Sequence, residues 1–140
     1  MQVAVFGSSN LRYFTGAASL SGILLASRQG EWLIAGDTDL AQTTGISVVK
    51  PGRSPQDELL RLLKQQKVRR LGIDMKNISH DLHTKLVSAR IRPVDVGDRL
   101  RQMRAVKSGA EIRSIREACR LADRAMDAAC GSIRDRKSVV

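Results

Sequence analysis

Aromatic side chains are scarce in this sequence: one Trp, one Tyr and two Phe among 140 residues. The interior must therefore be built from Leu, Ile, Val and Ala, and few rings are available to stack on nucleic-acid bases. Long apolar runs are also missing. The longest near the start, ILLA at 23–26, falls far short of the ~20 residues a membrane-spanning helix needs. The opening MQVAVFGSSN has neither a basic n-region nor an extended apolar core, so no secretory signal is expected. Cysteine occurs only as Cys119 and Cys130. On one helix these would stand roughly 16 Å apart at 1.5 Å per residue, whereas a disulfide needs Cα atoms within about 7 Å. No internal bridge and a reducing, cytoplasmic setting are expected.

The familiar catalytic signatures are absent as well. There is no P-loop, no G-x-G-x-x-G and no nucleophile elbow with a Ser-His-Asp set. His80 and His83 form H-x-x-H, a spacing zinc sites use, but they are the only histidines and no further ligand stands at a suitable spacing. A polar helix face accounts for them. Asp37 and Asp39 could face a cation, but too few ligands converge there. Acidic residues at a helix N-terminus explain the pair more simply. Asn77-Ile78-Ser79 is a glycosylation sequon, without meaning in a chain that is not secreted.

Acidic residues are outnumbered, 14 against 24 Lys and Arg, for a net charge of +10. Residues 99–140 hold 11 basic and 5 acidic side chains, so the excess is concentrated in the last third. Such a surface can attract nucleic acid, anionic lipid or acidic peptide. No nucleic-acid motif accompanies it, which argues against nucleic acid. The charge is read as background composition, or as that of a fragment separated from an acidic half.

What is present alternates between strand and helix. Residues 2–6, QVAVF, read as a short buried strand, and Ser8, Ser9 and Asn10 as a turn after it. GILLAS (22–27) and EWLIA (31–35) are apolar runs around Arg28-Gln29-Gly30, a hairpin in which the glycine supplies the turn. ISVV (46–49) is a further strand. Ser54-Pro55 opens a helix, since proline is tolerated in the first turn, and Leu59, Leu60, Leu62 and Leu63 give it an apolar face through about Gln66. RRLGID (69–74) reads as strand. Residues 80–89 read as a helix with Leu82, Leu86 and Val87 inward, and IRPVDV (91–96) as a short strand weakened by Pro93. The pattern predicts an α/β fold with a mixed sheet. Beyond Asp98 the sequence turns helical and proline disappears. Ser108 and Glu111 make a capping box. Ile112, Ile115, Cys119, Ala122, Met126 and Ala129 then recur at spacings of three and four as one apolar stripe. Gly131 offers a stop. The stripe needs a partner surface, and no large element follows to supply one.

Three segments together resemble the pita-bread metallopeptidases: aminopeptidase P, prolidase and creatinase. SSNLRYFTG is similar to an Asn followed by Tyr-x-Thr-Gly in that family's N-terminal domain. LIAGDTDLAQ is similar to its strand-then-Asp segment, with Asp39 and Leu40 where the family usually has Arg-Tyr. DRLRQMRAVKSGAEIRSIREACRLADRAM resembles the junction with the catalytic domain, through Arg104, Lys107, Ser108, Glu111, Ile112, Ile115 and Ala118. The resemblance implies a three-layer α/β domain like ribonuclease H over residues 1–97. Residues 98–134 would be a linker helix and the first helix of a truncated peptidase domain. The tail 135–140 reads as non-native, because DRKSVV is what a common sequencing adapter encodes in one frame. By the same resemblance the parent protein is a hydrolase cleaving before proline in short peptides. It would be a homodimer, with two divalent metal ions (Mn, Co or Zn) held in the missing domain. No catalytic or metal-binding residue is assigned in this chain. Arg12 and Tyr13 are the candidates for the rim of a substrate channel, and Phe14 for core. Two other classes are carried alongside: a non-catalytic, peptidase-like protein-binding module, and nucleic-acid binding through the basic last third.

Overall fold

The computed structural model describes residues 1–16, 21–36 and 46–132. Two compact units divide the chain, Met1–Arg104 and Ala105–Val140. The first holds strands β1 (Gln2–Val5), β2 (Gly22–Ser27), β3 (Gly30–Ala35), β4 (Ser47–Val49), β5 (Arg70–Ile73) and β6 (Arg92–Asp95). Helices α1 (Ser8–Thr15), α2 (Pro55–Gln65), α3 (His80–Ser88) and α4 (Gly97–Ala105) accompany them. A 3-10 turn, Met75–Asn77, follows β5.

The strands form one six-stranded sheet in the order β4-β3-β2-β1-β5-β6. β2 lies antiparallel to both β1 and β3, while β1–β5, β5–β6 and β3–β4 are parallel. Alternation along the strands divides the interior in two. Ala4, Ile23, Leu25, Ile34, Leu71 and Ile73 join Leu59, Leu62 and Leu63 of α2 and Leu82 and Leu86 of α3 in one cluster. Val5, Leu24, Leu33 and Ala35 join Leu11 of α1 and Leu100 of α4 in the other. The expected three-layer α/β sandwich with a mixed sheet is thus observed, and aliphatic side chains fill both cores.

Local chemistry explains the helix starts. The Ser54 hydroxyl accepts from the Asp57 amide at 3.1 Å, with Pro55, Asp57 and Glu58 in the first turn of α2. The Ser79 hydroxyl accepts from the Leu82 amide at 3.2 Å and caps α3, which gives this sequon serine a structural task. Pro93 sits in β6, which ends the strand order and among the described residues pairs with β5 alone, the edge position where a missing amide is tolerated.

Four expectations are corrected. The Ser8-Ser9-Asn10 turn is the opening of α1, because Leu11 is buried, 1% exposed, and Phe14 packs beside it. Those two anchors, three residues apart, hold a helix against the sheet. The hairpin turn is Arg28-Gln29, and Gly30 already begins β3. Val87 is 53% exposed, since five residues on from Leu82 the helix has turned it away from the core. Gly131 lies inside a helix that runs to Ser132.

That helix, α5 (Gly109–Ser132), belongs to the second unit. Its predicted capping box is formed. The Ser108 amide donates to Glu111 Oε2 at 2.8 Å, and the Glu111 amide donates to Ser108 Oγ at 3.2 Å. Among the described residues of this unit, nothing covers the stripe containing Ile112, Ile115 and Met126. Cys119 and Cys130 are both free and exposed.

Candidate functional site

The segment SSNLRYFTG is a two-turn helix fixed at both ends. Gly7 precedes it at φ 85°, a left-handed conformation that only glycine adopts without strain. At the other end the Gly16 amide donates to the Arg12 carbonyl at 2.9 Å. Inside, the Asn10 amide nitrogen donates to the Phe6 carbonyl at 2.8 Å and Thr15 Oγ1 donates to the Leu11 carbonyl at 2.7 Å. Leu11 and Phe14 face the core, so Arg12 and Tyr13 face outward.

The two rim candidates differ in surroundings. Arg12 is exposed. Tyr13 is 37% exposed, with its ring edge-on to Phe14 at 5.0 Å and an interplanar angle of 88°. Its hydroxyl donates to the Met103 carbonyl of α4 at 2.8 Å. The phenol therefore ties the last turn of α4 to α1, while Arg12 is the exposed polar group of the pair.

α4 is tied at its other end by carboxylates that the sequence pattern did not single out. Asp74, 3% exposed, follows β5. Its Oδ1 accepts from the Lys76 amide at 3.1 Å and its Oδ2 from the Asn77 side chain at 2.8 Å. The Arg101 guanidinium stands 3.6 Å from Asp74 Oδ2 and also pairs with Asp98. Asp95, the last residue of β6, accepts from the Gly97 amide at 2.9 Å. The Gly97 and Met75 amides hold its carboxyl below the usual value. A side chain at Gly97 would bring its Cβ to 2.5 Å from Asp74 Oδ1, so only glycine fits. The detectable signal was the pair of strand-ending aspartates, in GID and VDVGD.

Among the described residues no three His, Cys, Asp or Glu converge as metal ligands. The His80 ring lies 3.5 Å from the Thr84 hydroxyl, which also donates to the His80 carbonyl at 3.0 Å. Asp37 and Asp39 lie outside the described residues. No helix among the described residues is long and apolar enough to cross a membrane.

The sequence model of the creatinase/prolidase N-terminal domain matches residues 2–106. The chain belongs to that family. The match takes in the creatinase/prolidase N-terminal domain from β1 to the end of α4, and α5 follows it. The prolidase from Pyrococcus horikoshii OT3 is 27% identical with a TM-score of 0.82, over 97% of this chain and 40% of that one. The X-Pro aminopeptidase from Thermotoga maritima MSB8 is 24% identical with a TM-score of 0.82, over 95% of this chain and 41% of that one. The N-terminal domain of the cytoplasmic peptidase PepQ from Mycobacterium tuberculosis H37Rv is 18% identical with a TM-score of 0.61, over 72% and 85% respectively. No curated protein sequence matches the chain. This creatinase/prolidase N-terminal domain and its following helix thus span about two fifths of the prolidase and aminopeptidase chains they resemble.

Proposed function

We propose that this chain is the substrate-access portion of a metal-dependent Xaa-Pro peptidase of the aminopeptidase P or prolidase type. It shapes the entrance and contributes to a homodimer, and it does no chemistry alone. One observation carries the reading: a creatinase/prolidase N-terminal domain over residues 2–106, in a chain that covers 40% of a prolidase 27% identical to it. The described residues do not fit a dinuclear site. On this reading the two divalent ions (Mn, Co or Zn) are held in a domain following α5, as the resemblance to prolidase and aminopeptidase P implies.

The bond before proline is a tertiary amide without an N–H, so the enzyme must recognise a ring by shape. A domain that narrows the entrance serves that need. Arg12, exposed on α1, is assigned to the rim of the channel, where it meets the carboxylate of a short proline-containing peptide through a charge-assisted bond. Tyr13 holds that rim by fixing α4 to α1. Two free, exposed cysteines support a cytoplasmic setting.

The test is hydrolysis by the full-length protein encoded by the gene, stripped with chelator and resupplied with Mn, Co or Zn. Cleavage of Xaa-Pro but not Xaa-Ala dipeptides, lost on stripping and regained on resupply, is expected. A full-length protein that binds peptide but hydrolyses none under any metal would replace the reading with a non-catalytic binding module.

A further inference from the structure

We propose that the pocket between the C-terminal ends of α2 and α3 binds a chain of linked phosphates, the group shared by inorganic triphosphate and the nucleoside triphosphates. Three observations meet there. The first is charge. The pocket, about 340 Å³ in volume, is lined by Lys64, Lys67, Arg69 and Arg90 and by no acidic residue. All four cations are exposed, so a solute reaches them directly. Among the described residues none of the four side chains enters a hydrogen bond or an ion pair. A volume of this size falls in the range of small-ligand pockets.

The second lies in the backbone. α2 and α3 end in the same way. The Lys67 amide donates to the Lys64 carbonyl at 3.0 Å and the Val68 amide to the Leu63 carbonyl at 2.9 Å. The Arg90 amide donates to the Val87 carbonyl at 2.9 Å and the Ile91 amide to the Leu86 carbonyl at 3.0 Å. This paired closure turns the residue after the helix cap left-handed, where glycine is the relaxed choice. Here those positions hold Lys67 at φ 53° and Arg90 at φ 58°, the two non-glycine residues at positive φ among the described ones. Strain kept twice for a cation around one pocket points to a function. The negative ends of the helix dipoles favour cations at these positions. That does not account for Arg69, which stands outside both helices on the approach to β5.

The third is strand register. Arg70 of β5 pairs with Arg92 of β6, and both are exposed. They follow Arg69 and Ile91, two residues of the pocket lining. Like charges side by side on neighbouring strands repel, and a polyanion bound beside them relieves that repulsion. The choice of anion follows from the groups on offer. The amides of Lys67, Val68, Arg90 and Ile91 are spent on helix carbonyls, so recognition falls to the cationic side chains. Guanidinium forks hold phosphate oxygens in pairs, and lysines act as point charges. A single phosphate group brings at most about two negative charges, which leaves half of the four cations unmatched, whereas linked phosphates match them all. No aromatic ring lines the pocket. It therefore lacks the stacking platform of a single-stranded nucleic-acid site and the aromatic anchor of a protein interface.

The test is calorimetric titration of the whole chain at neutral pH, without metal ions, with inorganic triphosphate, ATP, inorganic phosphate and a short DNA duplex. Triphosphate should bind about tenfold or more tightly than inorganic phosphate, since each added charge-assisted bond is worth about that factor. Equal affinity for ATP assigns the site to linked phosphates on any carrier, and weaker ATP binding restricts it to the inorganic chain. Lys67→Gly and Arg90→Gly each remove a charge and relax a left-handed residue. Each should weaken triphosphate by about tenfold while leaving the thermal midpoint unchanged or higher. Arg53→Ala removes the same charge just before α2, at its opposite end, and should leave the affinity unchanged. No triphosphate binding, inorganic phosphate bound as tightly, the duplex bound more tightly than triphosphate, or equal weakening by Lys67→Gly and Arg53→Ala would each overturn the proposal.

Discussion

Gly97→Ala isolates the contact on which the placement of α4 depends. The new methyl would lie 2.5 Å from Asp74 Oδ1 and 2.8 Å from its carboxyl carbon. Asp74 is 3% exposed and held by the Lys76 amide and Asn77, so it cannot swing into solvent without leaving those donors. Overpacking of this kind costs roughly 1–3 kcal/mol, and a loosened bond to a charged acceptor adds about 1.5–3 kcal/mol. Alanine's better helix propensity returns at most about 1 kcal/mol. The net expectation is a loss of roughly 2–4 kcal/mol. With a urea slope of about 2 kcal/mol per molar, the midpoint should fall by about 1–2 M. Asp74→Ala alone should also destabilise, since it orphans the Asn77 and Lys76 donors. Combined with Gly97→Ala it removes the clash, so the double variant should cost less than the two singles together by about 1 kcal/mol or more. A Gly97→Ala midpoint indistinguishable from the parent, or strict additivity in the double variant, would refute the reasoning.

Other consequences can be checked in the same way. Leu11→Ala should cost about 2–5 kcal/mol by urea unfolding, because Leu11 is 1% exposed; a surface-like loss would mean that α1 is not anchored. Tyr13→Phe removes the hydroxyl bond to the Met103 carbonyl and should cost about 0.5–1.5 kcal/mol, with faster hydrogen exchange at the end of α4. Asp95 and Glu111 both have lowered carboxyl pKa values, held first by the Gly97 and Ser108 amides respectively. A lowered folded value means that their stabilisation is complete above the ordinary carboxylate range and is lost as pH falls through the depressed value. Helicity should therefore decline on acidification, and Glu111→Gln should already show at neutral pH the fraying of α5 that the parent shows only in acid. The 140-residue chain should hydrolyse no Xaa-Pro peptide with Mn, Co or Zn, as read by release of free proline.

Much of the architecture was legible because its signals are local. Ser54-Pro55 and the Ser108/Glu111 box are capping chemistry written within four residues. The continuous apolar runs in β2 and β3 announce strands buried on both faces. The errors arose where a local preference competed with a distant contact. Ser8-Ser9-Asn10 favours a turn by composition, but Leu11 and Phe14 pack onto the sheet and carry the residues before them into the helix. Val87 is as apolar as Leu86, and only the angular position on α3 separates them. The Asp74–Gly97–Arg101 arrangement was the least visible, since it joins residues more than twenty apart through the pairing of β5 with β6. Of the rim candidates, the sequence drew attention to Arg12 and Tyr13 together. That the tyrosine hydroxyl is committed to Met103 follows only from the packing of α4 beside α1.

The most direct measurement uses the full-length protein carrying Arg12→Ala, assayed on an Xaa-Pro dipeptide and on the same dipeptide with its C-terminus amidated. If the domain guards the entrance and Arg12 meets the free carboxylate, KM should rise several-fold for the acid and stay unchanged for the amide, with kcat preserved for both. Equal effects on the two substrates, or no effect on either, would contradict it.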